Sequence, residues 1–109
     1  MNENLKVISK AIEDKFGADT VILDICALTP MADYFVITSG QNPNQIQAIA
    51  DSIDEELSKL GVKVSHIEDD GPNWVLMDFG DIIVHIFDKE SREFYDLERL
   101  WADAVKVKI

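Results

Sequence analysis

Two apolar, β-branched runs separated by a two-residue turn constrain the fold of this 109-residue chain more than any other feature. The runs are Trp74 to Phe79 and Ile82 to Phe87, and they flank Gly80-Asp81. A two-residue loop that begins with glycine is typical of a type II′ turn between antiparallel strands. The pattern therefore predicts a β-hairpin in which Phe79 pairs with Ile82.

The register of this hairpin divides its side chains between two faces, because side chains alternate along a strand. One face is uniformly apolar and is predicted to pack against helices; it carries Val75, Met77, Phe79, Ile82, Val84 and Ile86. The other face is mixed; it carries Trp74, Leu76, Asp78, Ile83, His85 and Phe87. A sheet face of mixed composition is either partly covered by the chain or available to a partner.

Apolar residues at helical spacing predict three helices. The first ends at Gly17 in a left-handed cap, the second starts with the cap Asn42 and Pro43 and stops at Gly61, and the third is capped by Ser91. The apolar positions of the first helix are Leu5, Ile8, Ile12 and Phe16. Those of the second helix are Ile46, Ile49, Ile53, Leu57 and Leu60. Those of the third helix are Phe94, Leu97, Leu100, Trp101 and Ala104.

Three further runs have the composition of strands, namely Thr20 to Cys26, Asp33 to Ser39 and Val62 to Ile67, and Glu68 to Asn73 is predicted to be a surface loop. The order of elements is then α-β-β-α-β-β-β-α. This order predicts an α+β fold with a mixed β-sheet and helices mainly on one face. The length and the 47% hydrophobic content fit one domain covering residues 1–109.

The net charge of −11 limits the classes of partner, because nucleic-acid binding relies on Lys and Arg that neutralise phosphates. Acidic groups cluster at residues 51–56 and at Glu68 to Asp70, which is either a solvated surface or a match for a basic partner. No run approaches the ~20 apolar residues of a membrane span, and the first residues do not resemble a signal peptide. We therefore predict a cytoplasmic protein with little direct nucleic-acid contact and no membrane association.

The chain offers few residues for catalysis. Cys26 is the only cysteine and is predicted to be a buried, reduced thiol, and His66 and His85 are the only histidines. Ser39-Gly40 has the reverse order of the Gly-Ser turn that precedes the magnesium-binding carboxylates of nucleotidyl transfer, and the next acid, Asp51, falls on a helix. We therefore predict that the protein is not an enzyme and has no catalytic residues, metal site or cofactor.

Four segments together resemble the ribosomal silencing factor family, also called Iojap-like; they are residues 32–37, 47–51, 74–87 and 92–101. The resemblance implies a nucleotidyltransferase-like fold without catalytic residues. It further implies binding to the large ribosomal subunit through ribosomal protein fourteen, which would block joining of the two subunits and repress translation. Two alternatives stay open, namely a nucleotide-binding enzyme of nucleotidyltransferase-like fold and a non-ribosomal adaptor or homodimer module.

A partner-binding surface is predicted on the mixed hairpin face and at the start of the last helix, since the opposite face is too apolar to be left open. Its residues are Trp74, Asp78, His85, Phe87, Arg92 and Tyr95. Trp74 is either a core or an interface residue, and Arg92 and Tyr95 serve either a surface ion pair or the partner. Whether the free protein forms a homodimer is left open by the sequence.

Overall fold

The computed structural model describes residues 3–69 and 73–107, in which the chain forms four helices and six strands. The helices are α1 (Glu3–Asp14), α2 (Pro43–Lys59), α3 (Lys89–Tyr95) and α4 (Leu97–Leu100). The strands are β1 (Ala18–Asp24), β2 (Tyr34–Gly40), β3 (His66–Asp69), β4 (Trp74–Asp78), β5 (Ile82–Asp88) and β6 (Val105–Lys106). None of these four helices has the length and apolar character needed to cross a membrane.

The strands form one sheet in the order β3-β4-β5-β2-β1-β6. β2 and β5 lie side by side and run parallel, with Tyr34 opposite Ile82. Within the described residues, the other neighbouring strands run antiparallel. The prediction of an α+β fold with a mixed sheet is confirmed.

The predicted hairpin is present with the predicted register. The backbone N–H of Phe79 donates to the carbonyl of Ile82 at 2.9 Å, and Met77 lies opposite Val84. Gly80 takes a φ of +93°, the region that the first position of a type II′ turn requires and that glycine adopts without a steric penalty.

α1 and α2 cover one face of the sheet, where the uniformly apolar side of the hairpin meets them, and this confirms that the longer helices lie on one face. Burying a large aliphatic side chain stabilises the fold by roughly 1.5–3 kcal/mol, so this core dominates stability. The buried residues include Leu5, Ile8, Ile12, Ile46, Ile49, Ile53, Leu57, Val75, Met77, Val84 and Ile86.

The opposite face of the sheet is partly covered by residues 89–107, which we call the C-terminal segment. Leu97, Trp101 and Ala104 of this segment pack against a second apolar cluster that includes Phe35 and Phe87. β6 then adds to the edge of β1, so the segment crosses the sheet from β5 to its far side. The mixed hairpin face is therefore covered in part by the chain itself.

The start of α2 is set by local side-chain hydrogen bonds, as predicted. Asn42 Oδ1 accepts a hydrogen bond from the backbone N–H of Gln45 at 2.8 Å, and Pro43 occupies the first turn. The Gln45 side chain also accepts from the Gln41 N–H at 2.6 Å. Among the predicted apolar positions, Leu60 is the exception, since it lies at the end of the helix and is 58% exposed.

Phe16 does not extend the apolar stripe of α1, which corrects the prediction. It follows the end of the helix with a φ of +62° and is 82% exposed, so the left-handed residue is Phe16 and not Gly17. Gly17 is required for a different reason. A Cβ at this position would lie 2.3 Å from Ile12 Cγ2 and 2.8 Å from Thr38 Oγ1, so the close packing leaves no room for a side chain.

The single C-terminal helix predicted after Ser91 is instead two short helices, and its cap is Asp88, whose Oδ1 accepts from the Ser91 N–H at 2.7 Å. The helix breaks at Asp96, which adopts a left-handed φ of +44°. The break turns Phe94 and Leu100 out of the core, and they are 80% and 73% exposed.

Two smaller predictions are also corrected. Cys26 is exposed, because β1 ends at Asp24 and the chain turns there, with the Cys26 N–H donating to Asp24 Oδ1 at 3.1 Å. β3 begins only at His66 and includes Glu68 and Asp69, which had been predicted to lie in the loop. Asp70 of that predicted loop lies outside the described residues.

Candidate functional site

Four of the six predicted site residues form one aromatic cluster, which consists of Trp74, His85, Phe87 and Tyr95. Trp74 of β4 lies opposite Phe87 of β5, with ring centroids 5.2 Å apart. The Tyr95 ring of α3 lies 4.9 Å from Trp74 and 6.0 Å from Phe87. These separations fall in the range of favourable aromatic pairs. The hairpin register and the first turns of the C-terminal segment thus bring distant rings together.

The imidazole of His85 is a buried, neutral part of this cluster. Its Nδ1 accepts a hydrogen bond from Trp74 Nε1 at 3.3 Å, so the ring proton resides on Nε2. Nε2 is buried and has no hydrogen-bond partner among the described residues. Burial lowers the pKa of His85 from 6.5 to about 4, which leaves the ring uncharged at neutral pH. His85 therefore orients Trp74 and presents no charge to a partner.

The aromatic cluster is open to solvent on one side only. His85 is 5% exposed and Phe87 1%, whereas Trp74 is half-buried and Tyr95 is 49% exposed. The mixed face is thus less accessible than the sequence suggested, because the C-terminal segment lies over it. Within the cluster, Trp74 and Tyr95 are the residues that solvent reaches, while His85 and Phe87 are buried beneath them.

Arg92 points away from the aromatic cluster and joins four parts of the chain. Its Nε donates to Glu98 Oε1 at 2.8 Å, its Nη1 to Ser39 Oγ at 2.8 Å and its Nη2 to the carbonyl of Asp19 at 2.7 Å. The Arg92 side chain is only 12% exposed. Of the two alternatives, the ion pair is present, with Glu98, and it is part of a network that ties α3 to β1, β2 and α4. The partner contact of Arg92 stays a prediction.

Asp78 is also separate from the aromatic cluster. It ends β4, and its Oδ1 accepts a hydrogen bond from the Gly80 N–H at 2.8 Å, which stabilises the hairpin turn. Three residues of strand lie between it and Trp74, so the two are four residue steps apart, ~13 Å along the strand. A partner that contacts both residues must therefore span the length of β4.

Comparison with known proteins decides the family. The family model described as "Ribosomal silencing factor during starvation" matches residues 1–109. The chain is 42% identical to the ribosomal silencing factor of Bacillus subtilis over 101 residues, which cover 92% of this chain and 86% of that protein.

The chain belongs to the ribosomal silencing factor family. It is also 35% identical to the silencing factor of Halalkalibacterium halodurans over 108 residues, which cover 98% of this chain and 92% of that protein. A crystal structure of a Chromobacterium violaceum protein superimposes with a TM-score of 0.89 at 33% identity, covering 94% of this chain and 88% of the other. The resemblance predicted from the sequence is confirmed.

Two exposed residues of this silencing factor were missed by the sequence interpretation. Phe94 and Leu100 were interpreted only as apolar positions of one continuous helix, because their spacing fits such a helix. The signal against that assignment was Asp96, since aspartate tolerates the left-handed conformation better than most residues do.

Among residues 3–69 and 73–107, no group of three or more His, Cys, Asp or Glu side chains is placed to hold a metal ion.

Proposed function

We propose that this chain represses translation by docking on the large ribosomal subunit through ribosomal protein fourteen and blocking the approach of the small subunit. The observation that carries the proposal is the match of the ribosomal silencing family over residues 1–109. The partner and the steric block are what membership of that family implies. The function requires binding alone, so we propose that the protein acts without catalysis, in the cytoplasm.

The charge of the chain supports a protein partner on the ribosome. At −11, the molecule is repelled by the phosphates of ribosomal RNA and attracted by basic protein surfaces. Repulsion from the surrounding RNA also disfavours docking elsewhere on the subunit. Direct nucleic-acid contact is therefore a small part of the proposed interface.

The accessible side of the aromatic cluster is the proposed contact region. Trp74 and Tyr95 supply large rings with a polar tip, which are enriched among residues that dominate binding energy. The hydrogen bond from Trp74 to His85 and the packing of Tyr95 on Phe87 hold both rings in place before binding. Such preorganisation lowers the entropy that association costs.

The test is sedimentation of the purified protein with large subunits, small subunits and assembled ribosomes, followed by a subunit-joining assay. We expect co-migration with the large subunit alone, because the proposed docking surface is covered in the assembled ribosome. Preincubation of large subunits with the protein should then reduce the yield of assembled ribosomes. Co-migration with assembled ribosomes, or unchanged joining at saturating protein, would contradict the proposal.

A further inference from the structure

A shallow groove, lined about equally by polar and apolar groups, lies on the surface of the C-terminal segment at the break between α3 and α4. The groove measures about 570 Å³ and is lined by Glu93, Phe94, Tyr95, Asp96, Arg99 and Leu100. Phe94 and Leu100 supply its largest apolar groups and are among the most exposed apolar residues of the described chain. Exposed apolar groups that lie together on a surface mark interaction sites more often than scattered ones do.

The groove is a consequence of the left-handed residue Asp96. In a continuous helix, Phe94, Leu97 and Trp101 would share one face, because residues three to four positions apart lie together. With φ at +44°, Asp96 redirects the chain, so Leu97 and Trp101 reach the second core while Leu100 points outward. The break therefore exposes apolar groups that an unbroken amphipathic helix would bury.

The groove is held in shape by contacts on both sides of the break. The ion pair of Arg92 with Glu98 joins α3 to α4 at 2.8 Å, and the Asp96 N–H donates to the carbonyl of Arg92 at 2.9 Å. The Phe94 ring packs edge-on against Tyr95, with centroids 5.2 Å apart. A preformed groove needs little ordering when a partner binds.

We propose that the groove between Phe94 and Leu100 receives an apolar side chain of a basic protein segment on the large ribosomal subunit. The inference rests on the proposed function, which it deepens by adding a second contact next to Trp74 and Tyr95. Tyr95 belongs to both the groove and the aromatic cluster, so the two surfaces are continuous.

Charge favours this occupant over nucleic acid or a second copy of the chain. Glu93 and Asp96 line the groove against one cation, Arg99, and Glu90 lines a second concavity that Phe94 and Tyr95 share. Carboxylates beside the apolar groups repel phosphates and attract lysine or arginine. Two copies of a chain with a net charge of −11 repel each other, which disfavours self-association through this surface.

Matched substitutions test the groove. Phe94→Ser and Leu100→Ser alter the groove. The controls Phe16→Ser and Leu60→Ser remove exposed side chains of the same types elsewhere on the surface, which are 82% and 58% exposed. Affinity for purified large subunits is measured by biolayer interferometry, with thermal melts of each variant. We expect each groove variant to bind at least tenfold more weakly and each control to stay within twofold, with the melting temperatures of the groove variants close to that of the parent.

A charge reversal supplies an independent measurement. Glu93→Lys should slow association with large subunits most strongly at low salt, whereas Glu13→Lys on exposed α1 should slow it less. Equal slowing by both variants would indicate a general charge effect and would contradict a specific groove contact.

The outcomes separate this inference from the proposed function. If the parent binds large subunits and Phe94→Ser and Leu100→Ser bind with the same affinity, the groove is not a contact. The proposed function is then unaffected. No binding of the parent to large subunits overturns both. If sedimentation velocity shows that the groove variants lose self-association while keeping subunit affinity, the occupant is a second copy and the inference is wrong.

Discussion

The indole N–H of Trp74 donates to Nδ1 of His85 at 3.3 Å, and the rings of the two residues stack with centroids 5.9 Å apart. The bond requires a neutral imidazole, because a protonated ring has no acceptor at Nδ1. The orientation of the accessible Trp74 ring therefore depends on the protonation state of the buried His85. Protonation of His85 would release Trp74 from its fixed orientation.

We predict that His85 makes stability depend on pH. In the folded protein, burial holds its pKa at about 4, whereas in the unfolded chain the ordinary pKa is 6.5. Between these values the unfolded state binds more protons, so the free energy of unfolding falls as pH falls, by ~1.4 kcal/mol per pH unit and about 3 kcal/mol in total. Above pH 6.5 the ring of His85 is neutral in both states, so it no longer lowers the free energy of unfolding.

The measurement is urea unfolding at several pH values between 4 and 7.5 for the parent and His85→Phe. The variant lacks the titrating group, so its free energy of unfolding should fall less steeply with decreasing pH. The carboxylates titrate in both proteins and cancel in the difference. Identical slopes would show that His85 is not the source of the effect.

Arg92 and Arg99 should differ sharply in their contribution to stability. Arg92→Gln leaves Glu98, Ser39 and the Asp19 carbonyl without their donor, and we expect a loss of about 2–3 kcal/mol in urea unfolding. The matched control Arg99→Gln removes an exposed side chain and should change stability by less than ~0.5 kcal/mol. Arg92→Lys should restore little, since an ammonium cannot reproduce the forked contacts. Equal effects of the two glutamine variants would refute this assignment.

Replacing phenylalanine with glycine should change the stability of the protein in opposite directions at Phe16 and at Phe94. Phe16 holds a positive φ, which costs an L-residue roughly 1–2 kcal/mol and costs glycine nothing, so Phe16→Gly should stabilise the protein by about 1 kcal/mol. Phe94 lies within α3, where glycine costs about 1 kcal/mol. Thermal melts of the two variants give the signs directly. A destabilised Phe16→Gly would mean that its side chain contributes more than its exposure indicates.

Tyr95→Ala and Phe87→Ala should separate partner contact from core support. Tyr95 is half-exposed, so its truncation should weaken binding to large subunits by about fivefold or more with a smaller loss of stability. Phe87 is fully buried, and its truncation should cost about 3–5 kcal/mol of stability. Binding measurements beside melts decide the matter. If Tyr95→Ala loses affinity only in proportion to stability, the aromatic cluster is structural.

We expect no magnesium-dependent nucleotide binding in a calorimetric titration with ATP. Ser39 and Gly40 at the end of β2 line a cavity of about 520 Å³, but among the described residues no group of three or more His, Cys, Asp or Glu side chains is placed to hold a magnesium ion there. Titration with large subunits under the same conditions serves as the positive control. A saturable, magnesium-dependent heat that disappears in Asp51→Asn would revive the enzyme alternative.

The sequence predicted those elements whose signals are local. The hairpin register follows from Gly80 and alternation, and the start of α2 follows from Asn42 and Pro43, all within a few residues. The break at Asp96 was not predictable in this way, because the apolar spacing around it fits a helix. The contacts that accompany the break join Arg92 to Ser39 and Asp19, which are 53 and 73 residues away in the chain.

The candidate site shows the same division. Alternation correctly placed Trp74, His85 and Phe87 on one face, and the sequence could not show how far the C-terminal segment covers that face. Arg92 was predicted to serve either an ion pair or a partner, and its 12% exposure could not be predicted because it depends on tertiary packing. Exposure, and not membership of a face, distinguishes a contact residue from a supporting one here.

The parallel pairing of β2 with β5 has a consequence for how the protein matures. Tyr34 pairs with Ile82, 48 positions later, so the middle of the sheet cannot close while the ribosome is still synthesising residues before β5. Such distant pairings slow folding, because a long loop must close before the contacts form. The C-terminal segment, which covers part of the aromatic cluster, comes still later in the chain. A nascent copy therefore lacks the proposed docking surface until the C-terminal segment has been synthesised.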